Sequence, residues 1–392
     1  MYQNKIKIPI ILLLIYLICI SGFRYMLFIY HPINLAAALI LFAVWVVTRI
    51  IDHKPIMMPR LPWAYLIFIG SWILSALFTT WIPGTLYEAM LFGISLILFV
   101  AAINLPPDLR PVVLLGILIS GLLFNLLHFV GIGQILAGSR SELFALNNTA
   151  AFGNLIIITS LSLLLHTKSN NLKIWAWAGL ISSLVVLWFT GSRAGIIAGL
   201  AAIAVVLIMA HLMDPKIYPR PALVATAHVI GSPLFWITAT ARRSAGASQI
   251  AQRASRSIGL RLEIWELSLT RMMDLSRPFG LGPNTFAHRL WEIRPNVQPA
   301  WIHAHNLGIQ ILLERGLVGI LAAAILLMIV LASVLLLAPD PMLAGIGAAV
   351  LVATLLHGIW DLPWYEPYIM RSMMLLMGLS LAPNGPNCQI DG

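Results

Sequence analysis

The chain has 392 residues, of which 60% are hydrophobic and only 10% are charged. A soluble globular domain carries about 25% charged residues, so most of this surface must face hydrocarbon, and soluble classes of protein are excluded. The two cysteines are Cys19 and Cys388, and their positions in an apolar run and in the tail exclude a disulfide-stapled fold. The formal net charge of +10 indicates anionic lipids or an anionic substrate.

Apolar runs follow one another along most of the chain. Because a helix needs about 20 residues to cross a hydrocarbon core of about 30 Å, we predict an all-α polytopic membrane protein with about 12 transmembrane helices. The predicted spans are 8–30, 33–51, 61–79, 83–103, 112–132, 145–166, 172–190, 193–213, 221–239, 317–338, 341–359 and 367–382.

The lysines indicate the orientation of these spans. Lysine and arginine concentrate in cytoplasmic loops, and an even number of spans places both termini on one side. We therefore predict cytoplasmic N- and C-termini, and a large outer loop that divides the chain into 1–239, 240–316 and 317–392. The residues that carry this prediction are Lys5, Lys7, Lys54, Lys168, Lys173 and Lys216, with Arg49, Arg60, Arg110 and Arg220.

The outer connection at 240–305 is rich in arginine and contains no lysine. Arginine presents a planar fork that matches phosphate bidentately, so this composition favours binding of phosphate or pyrophosphate. A codon-composition bias combined with anchoring to lipid phosphates is the alternative. The arginines are Arg242, Arg243, Arg253, Arg256, Arg261, Arg271, Arg277, Arg289 and Arg294, and the acidic residues are Glu263, Glu266, Asp274 and Glu292.

Two helices are predicted inside this connection. Residues 259–273 have apolar side chains at helical spacing, namely Leu262, Trp265, Leu269 and Met272, which indicates an amphipathic helix suited to a membrane surface. The segment 278–283 (PFGLGP) predicts a break. A second helix is predicted from Ala304 to Glu314, running through Gly316 into the tenth span.

The predicted outer side carries several short motifs, namely HAHNLGIQILLERGLVG at 303–319, R-x-x-x-W from Arg261 to Trp265, G-x-G from Gly280 to Gly282, GSRAG at 191–195, and Arg140 followed by Asn147 and Asn148. Together these motifs resemble those of the O-antigen ligase and polymerase superfamily. No single motif is specific, whereas their order and shared side are much more so.

The resemblance implies a GT-C-like lipid-linked glycosyltransferase of the bacterial inner membrane, with its active site in the periplasm. The implied donor is an undecaprenyl-pyrophosphate-linked glycan, and membrane lipids surround the protein. The implied catalytic residues are His305, Arg193 and Arg261, with His303 as an alternative for the histidine. The implied substrate-binding residues are Arg140, His303, Asn306, Asn148 and Arg289.

The same residues suit the chemistry on physical grounds. Arginines stabilise the charge that develops on a departing pyrophosphate, and a histidine serves as general base for an acceptor hydroxyl or positions it. No carboxylate cluster has metal-ligand spacing on the outer side, so we expect metal-independent transfer without a cofactor. We expect no nucleic-acid partner.

Some of these residues have structural alternatives. Arg193 can be an interfacial arginine, Arg261 can pair with a neighbouring glutamate, and His305 can cap a helix. Glu314 is expected to pair locally with Arg315. The last outer loop, 360–367, is interpreted as an aromatic belt, in which Asp361 or Glu366 can orient an arginine or contact sugar.

The leading functional hypothesis is an O-antigen ligase that transfers the glycan to a sugar hydroxyl of lipid A-core. An O-antigen polymerase and a protein O-oligosaccharyltransferase share the chemistry and differ in acceptor. A single large outer loop and a short tail after about 382 favour the ligase. A transporter of anionic lipid or solute is the alternative of another class, and it predicts charged residues deep in the spans, of which Glu88 is the clear candidate.

Overall fold

The computed structural model describes residues 62–136, 146–213, 258–272, 277–293, 303–337, 340–362 and 365–383, and a few positions before residue 59. These residues form helices and contain no strand. The helices are α1 Pro62–Leu77, α2 Ile82–Ile103, α3 Arg110–Leu136, α4 Leu146–His166, α5 Asn170–Thr190, α6 Arg193–Met213, α7 258–267, α8 Phe286–Ile293, α9 Leu307–Leu337, α10 Pro341–Gly358 and α11 Pro367–Ser380.

Seven of the described helices are long and apolar enough to cross a membrane, namely α2, α3, α4, α5, α6, α9 and α10. They correspond to seven of the predicted spans, so the all-α membrane architecture is confirmed. The helices α1 and α11 have only 16 and 14 residues. The first, second and ninth predicted spans lie almost wholly outside the described residues, so the number twelve stays a prediction.

The helix after His305 begins later than predicted. It starts at Leu307, because the side-chain oxygen of Asn306 accepts the backbone N–H of Ile309 at 3.0 Å and so caps the first turn. The backbone of His305 has φ 50°, in the left-handed region, which excludes the preceding residues from the helix. The predicted helix running through Gly316 is wrong in part: α9 continues beyond Gly316, but the residue has φ 64° and interrupts the helix with a kink.

The predicted amphipathic helix ends earlier than expected. Regular α-helix covers 258–267, and a π-helical turn, Ser268–Met272, follows. The buried face holds Ile264, Leu267 and Met272, whereas Leu262 and Leu269 of the predicted stripe are 54% and 42% exposed. Leu262 and Leu269 of the predicted stripe thus face away from the rest of the protein, and the contact of this helix with a membrane surface stays a prediction.

The core lies where α4 packs against α3, α5, α6, α10 and α11. Phe124 and Phe152 meet there with Tyr368, at ring-centroid distances of 4.9 and 5.2 Å from the tyrosine. Chain direction alternates through the bundle, so α2, α4, α6, α9 and α11 all begin at the same end. We call this the site end. At the opposite end a guanidinium nitrogen of Arg110 donates to the carbonyl of Pro383 at 2.6 Å.

Candidate active site at the site end

His305 and Asp361 form a hydrogen-bonded pair at the site end of the bundle, which is an ion pair when the imidazole is protonated. The Nδ1 atom of His305 lies 2.9 Å from Oδ1 of Asp361, although the two residues are 56 positions apart in the chain. The histidine side chain is 25% exposed and the aspartate side chain 10% exposed. A buried carboxylate on Nδ1 orients the imidazole and directs Nε2 toward a substrate, which is the arrangement of an oriented general base.

The predicted R-x-x-x-W motif packs against both members of this pair. Arg261 Nη2 lies 4.0 Å from Oδ2 of Asp361. One helical turn further along α7, the indole N–H of Trp265 donates to the carbonyl of Ala304 at 2.8 Å, next to His305. The spacing of four residues places both side chains on one face of the helix. The motif therefore brings a positive charge, Arg261, to Asp361 and an indole, Trp265, that holds the backbone next to His305.

The first turn of α4 completes the surroundings of the carboxylate. The side-chain amide of Asn147 donates to Asp361 Oδ2 at 2.5 Å, and that of Asn148 donates to Glu366 at 2.9 Å. The backbone N–H of Leu362 donates to Asp361 Oδ1 at 2.9 Å. Asp361 therefore accepts hydrogen bonds from three separate segments, and these hold its position.

These contacts keep Asp361 ionised. Burial alone would raise the pKa of its carboxyl group, but the hydrogen bond and charge of His305, then the charge of His357 and the Leu362 N–H, lower the pKa well below its usual range. At neutral pH the site therefore contains a fixed negative charge facing one arginine and one histidine.

Arg193 is the first residue of α6, and its side chain is exposed at the site end. The turn before it is built by Gly191, which has φ 58°, and by the side chain of Ser192, which accepts the Gly195 N–H at 3.1 Å. Gly195 packs directly against Ala150 of α4, where a Cβ would collide. The second glycine of GSRAG thus holds α6 against α4.

The register of α6 and α10 places Arg193 at about the level of Asp361. These helices run antiparallel in contact, and Met209 Cβ lies 3.6 Å from the place of a Cβ on Gly345. Arg193 precedes Met209 by sixteen residues, and Asp361 follows Gly345 by sixteen. Equal rise along both helices therefore brings Arg193 to the same depth as the ion pair.

The other predicted site residues differ in their surroundings. His303 is buried, with its ring 4.3 Å from that of Tyr365. Asn306 caps α9 and also donates to the carbonyl of Ile359 at 3.1 Å, so its side chain has structural partners. Arg289 lies on the exposed face of α8 and pairs with Glu292 at 2.6 Å, and no recorded contact joins it to the ion pair. Arg140 lies outside the described residues.

Glu314 and Arg315 do not pair with each other as predicted. Glu314 is 2% exposed and accepts from the hydroxyl of Tyr365 at 2.6 Å and from the side chain of Gln310 at 2.7 Å. Arg315 instead donates to Glu88 at 3.0 Å. Adjacent residues of a helix point about 100° apart, so they reach different partners across the bundle. Helical spacing shows that Gln310 and Glu314 are neighbours, but it cannot show their contact with Tyr365.

A cavity of about 590 Å³ extends from the site into the bundle, between α1, α2, α9, α10 and α11. It starts beside Asn306 and Ile359, and most of its wall is apolar. Glu88 and Arg315 line it as an ion pair. An apolar cavity next to the His305–Asp361 pair suits a ligand with a polar head and an apolar chain. Among the described residues, no three His, Cys, Asp or Glu side chains are placed to hold a metal ion.

Residues 177–324 match the family model described as O-antigen ligase. The match includes α6 to α8 and the first half of α9, and therefore Arg193, Arg261 and His305. It supports the resemblance of this multi-pass helical membrane protein to the O-antigen ligase and polymerase superfamily. No curated protein matches the chain at a significant level. Asp361 lies beyond the matched residues, so geometry alone brings it to the site.

Proposed function

We propose that this protein is an O-antigen ligase that transfers an undecaprenyl-pyrophosphate-linked glycan onto a sugar hydroxyl of lipid A-core. The observation that carries the proposal is the ion pair of His305 and Asp361, with Arg261 beside it, at the end of the bundle where the matched residues converge. The donor is expected to lie with its polyprenyl chain in the cavity and its pyrophosphate near the arginines.

The proposed reaction is a direct displacement at the anomeric carbon. The acceptor oxygen forms the new glycosidic bond while the bond from that carbon to the pyrophosphate oxygen breaks, with inversion. His305 accepts the hydroxyl proton at Nε2, while Asp361 holds Nδ1–H and stabilises the imidazolium. Arg193 and Arg261 balance the charge that develops on the leaving pyrophosphate, so the reaction is proposed to be metal-independent.

A complementation experiment tests this proposal. A ligase-deficient bacterial host expresses wild type, His305→Ala, Arg193→Ala or Arg261→Ala at matched membrane levels, and lipopolysaccharide is resolved on a gel. Wild type should restore the O-antigen ladder, and each variant should reduce it by about 10²-fold or more, since a positioned base contributes about 10²–10⁴-fold. Arg271→Ala, on the exposed side of the π-helical turn, is the matched control and should retain the ladder.

The other acceptors are tested by the same strains. Restored chain length of lipid-linked polymer without transfer to lipid A-core would favour an O-antigen polymerase. Glycan attached to protein serine would favour a protein O-oligosaccharyltransferase. If wild type yields none of these products from abundant lipid-linked polymer, the transferase proposal fails for the glycans of that host.

The pair of Glu88 and Arg315 favours a transporter of anionic lipid or solute as the second candidate. Both side chains are nearly buried, at 7% and 11% exposed, and line an apolar cavity, which is the feature expected of such a transporter. Uptake or lipid scrambling by purified protein in vesicles that persists in His305→Ala, without any transfer activity in wild type, would support it.

A further inference from the structure

His305 and Asp361 belong to two segments that are far apart in the chain, so the chain itself does not fix the distance between them. His305 lies in the turn 303–306 before α9, and Asp361 lies in the connection between α10 and α11. His305 also has a left-handed backbone, which a residue with a Cβ adopts only when its surroundings impose it. The alignment of the pair must therefore be held from outside the pair itself.

A buried chain of hydrogen bonds joins the two segments behind the site. The backbone N–H of Ala304 donates to Oε1 of Gln310 at 2.8 Å, and Nε2 of Gln310 donates to Glu314 Oε1 at 2.7 Å. The hydroxyl of Tyr365 donates to Glu314 Oε2 at 2.6 Å. Tyr365 belongs to the same connection as Asp361, so Glu314 bridges the segment of the histidine and the segment of the aspartate.

Glu314 acts in this chain as an acceptor with both oxygens. Its Oε1 atom accepts a second, weaker bond from the backbone N–H of Phe286 at 3.3 Å, which ties α8 to the same group. Burial, followed by the charges of Glu314 and Glu88, raises the pKa of Tyr365 well above its usual value, so its hydroxyl stays protonated and donates. The Tyr365 hydroxyl can also accept, so a neutral amide at position 314 could still bond both Gln310 and Tyr365, whereas an apolar side chain could bond neither.

We propose that Glu314, through Gln310 and Tyr365, is a positioning residue that sets the distance between His305 and Asp361. The proposal rests on the proposed function for its catalytic meaning, but its geometry is independent of any substrate. Glu314 itself touches no reacting atom. Because Glu314 also lines the cavity, its role is tested at the histidine itself, where its loss should release His305 from Asp361.

Two variants separate this role from general stabilisation. Glu314→Leu removes both acceptor oxygens and breaks the chain. The exchange Gln310→Glu combined with Glu314→Gln keeps the chain, because a carboxylate at position 310 can accept both the Ala304 N–H and the new amide. The amide oxygen at position 314 still accepts from Tyr365. The exchange loses two weak bonds, from the Phe286 N–H to position 314 at 3.3 Å and from the Gln310 amide to the Tyr365 hydroxyl at 3.4 Å.

The readout is the rate at which diethylpyrocarbonate modifies His305 in purified, lipid-reconstituted protein, measured by peptide mass spectrometry. Glu314→Leu should raise this rate by roughly fivefold, the factor that corresponds to one net hydrogen bond. The exchange variant should return within about twofold of wild type. His166, at the opposite end of α4, is the internal control and should react equally in all three proteins.

An unchanged His305 rate in Glu314→Leu, or an exchange variant that behaves like Glu314→Leu, would overturn the proposal. If Glu314→Leu does not fold, the comparison of wild type, the exchange variant and Gln310→Leu decides, with an increase expected only in Gln310→Leu. Ladder restoration by the same variants is measured in parallel. If the His305 rates change as predicted but wild type restores no ladder, the positioning role stands and the proposed function is contradicted.

Discussion

At the residue scale, Asp361 joins three side chains of the site that come from three different segments of the chain. It contacts His305, faces Arg261 and accepts from Asn147. Since its pKa lies well below the usual range, it remains charged throughout the pH range in which the histidine can act as a base. Removal of this charge would loosen the orientation of the imidazole and leave the partly buried positive charge of Arg261 without this carboxylate.

We expect Asp361→Asn to lower transfer activity by about 10²-fold, the lower end of a positioned base's contribution. The variant should also be less stable at neutral pH. Because the folded-state pKa is depressed, the stabilisation by the aspartate is complete above the unfolded pKa of about 3.9 and is lost only as pH falls through the lower folded value. Unfolding temperatures of both proteins at pH 7 and pH 5 test this.

The stability difference between wild type and Asp361→Asn should be at least as large at pH 5 as at pH 7, because Asp361 stays ionised and any protonation of His305 adds an attraction that asparagine lacks. A difference that already disappears at pH 5 would show that the carboxyl group titrates in its ordinary range or above, against the ion pair described here.

The residues of this site differ in how far the sequence predicts them. Arg261 and His305 belong to motifs whose order along the chain indicates a shared site, and the structure brings both to Asp361. Asp361 itself sits in a tryptophan-rich loop, where interfacial anchoring is the ordinary interpretation. Its role depends on a contact across 56 residues, which periodicity does not encode.

At the element scale, the loop 278–283 and α9 meet backbone to backbone. A Cβ on Gly316 would collide with the carbonyl of Pro278, and a Cβ on Gly280 would collide with the peptide that joins Glu314 to Arg315. The N–H of Gly282 donates to the carbonyl of Glu314 at 2.9 Å. The predicted G-x-G motif therefore packs against the backbone of α9 at Glu314, next to the break at Gly316.

Gly316→Ala should destabilise the protein by more than about 2 kcal/mol, because the left-handed backbone and the collision add. Gly93→Ala is the matched control: Gly93 is also in a membrane-length helix, but nothing lies within 4 Å of its Cβ position. That change should be neutral or stabilising by up to about 1 kcal/mol. Thermal unfolding in one detergent compares them, and equal unfolding temperatures would contradict the collision.

Helix positions are predictable within a few residues, whereas helix ends near the site are not. Runs of apolar residues locate α2 to α6 and α10 directly. The start of α9 depends on the Asn306 cap and on the backbone of His305, both of which require tertiary contacts. The π-helical turn at Ser268–Met272 likewise has no signature in apolar spacing.

At the scale of the whole molecule, the structure places lysines predicted to be cytoplasmic at the end of the bundle opposite the site. Lys168 and Lys173 lie at the end opposite His305, as the positive-inside rule requires if the site faces the periplasm. Orientation in the membrane therefore becomes a direct prediction.

In a protein in which Cys19 and Cys388 are replaced by serine, a cysteine at position 292 should react with a membrane-impermeant maleimide in intact spheroplasts. A cysteine at position 168 should react only after permeabilisation. Both parent residues are exposed, so accessibility is matched. Reaction of the position 168 cysteine in intact cells would reverse the orientation and place the site in the cytoplasm.

The central claim is that His305, oriented by Asp361, activates an acceptor hydroxyl against a lipid-linked pyrophosphate donor. Its most direct test is a reconstituted reaction with purified protein, lipid-linked glycan and lipid A-core acceptor, in the presence of a metal chelator. Transfer by wild type, with release of undecaprenyl pyrophosphate and a loss of about 10²-fold or more in His305→Ala while donor binding is retained, is the predicted result. Transfer by His305→Ala at the wild-type rate would contradict the account.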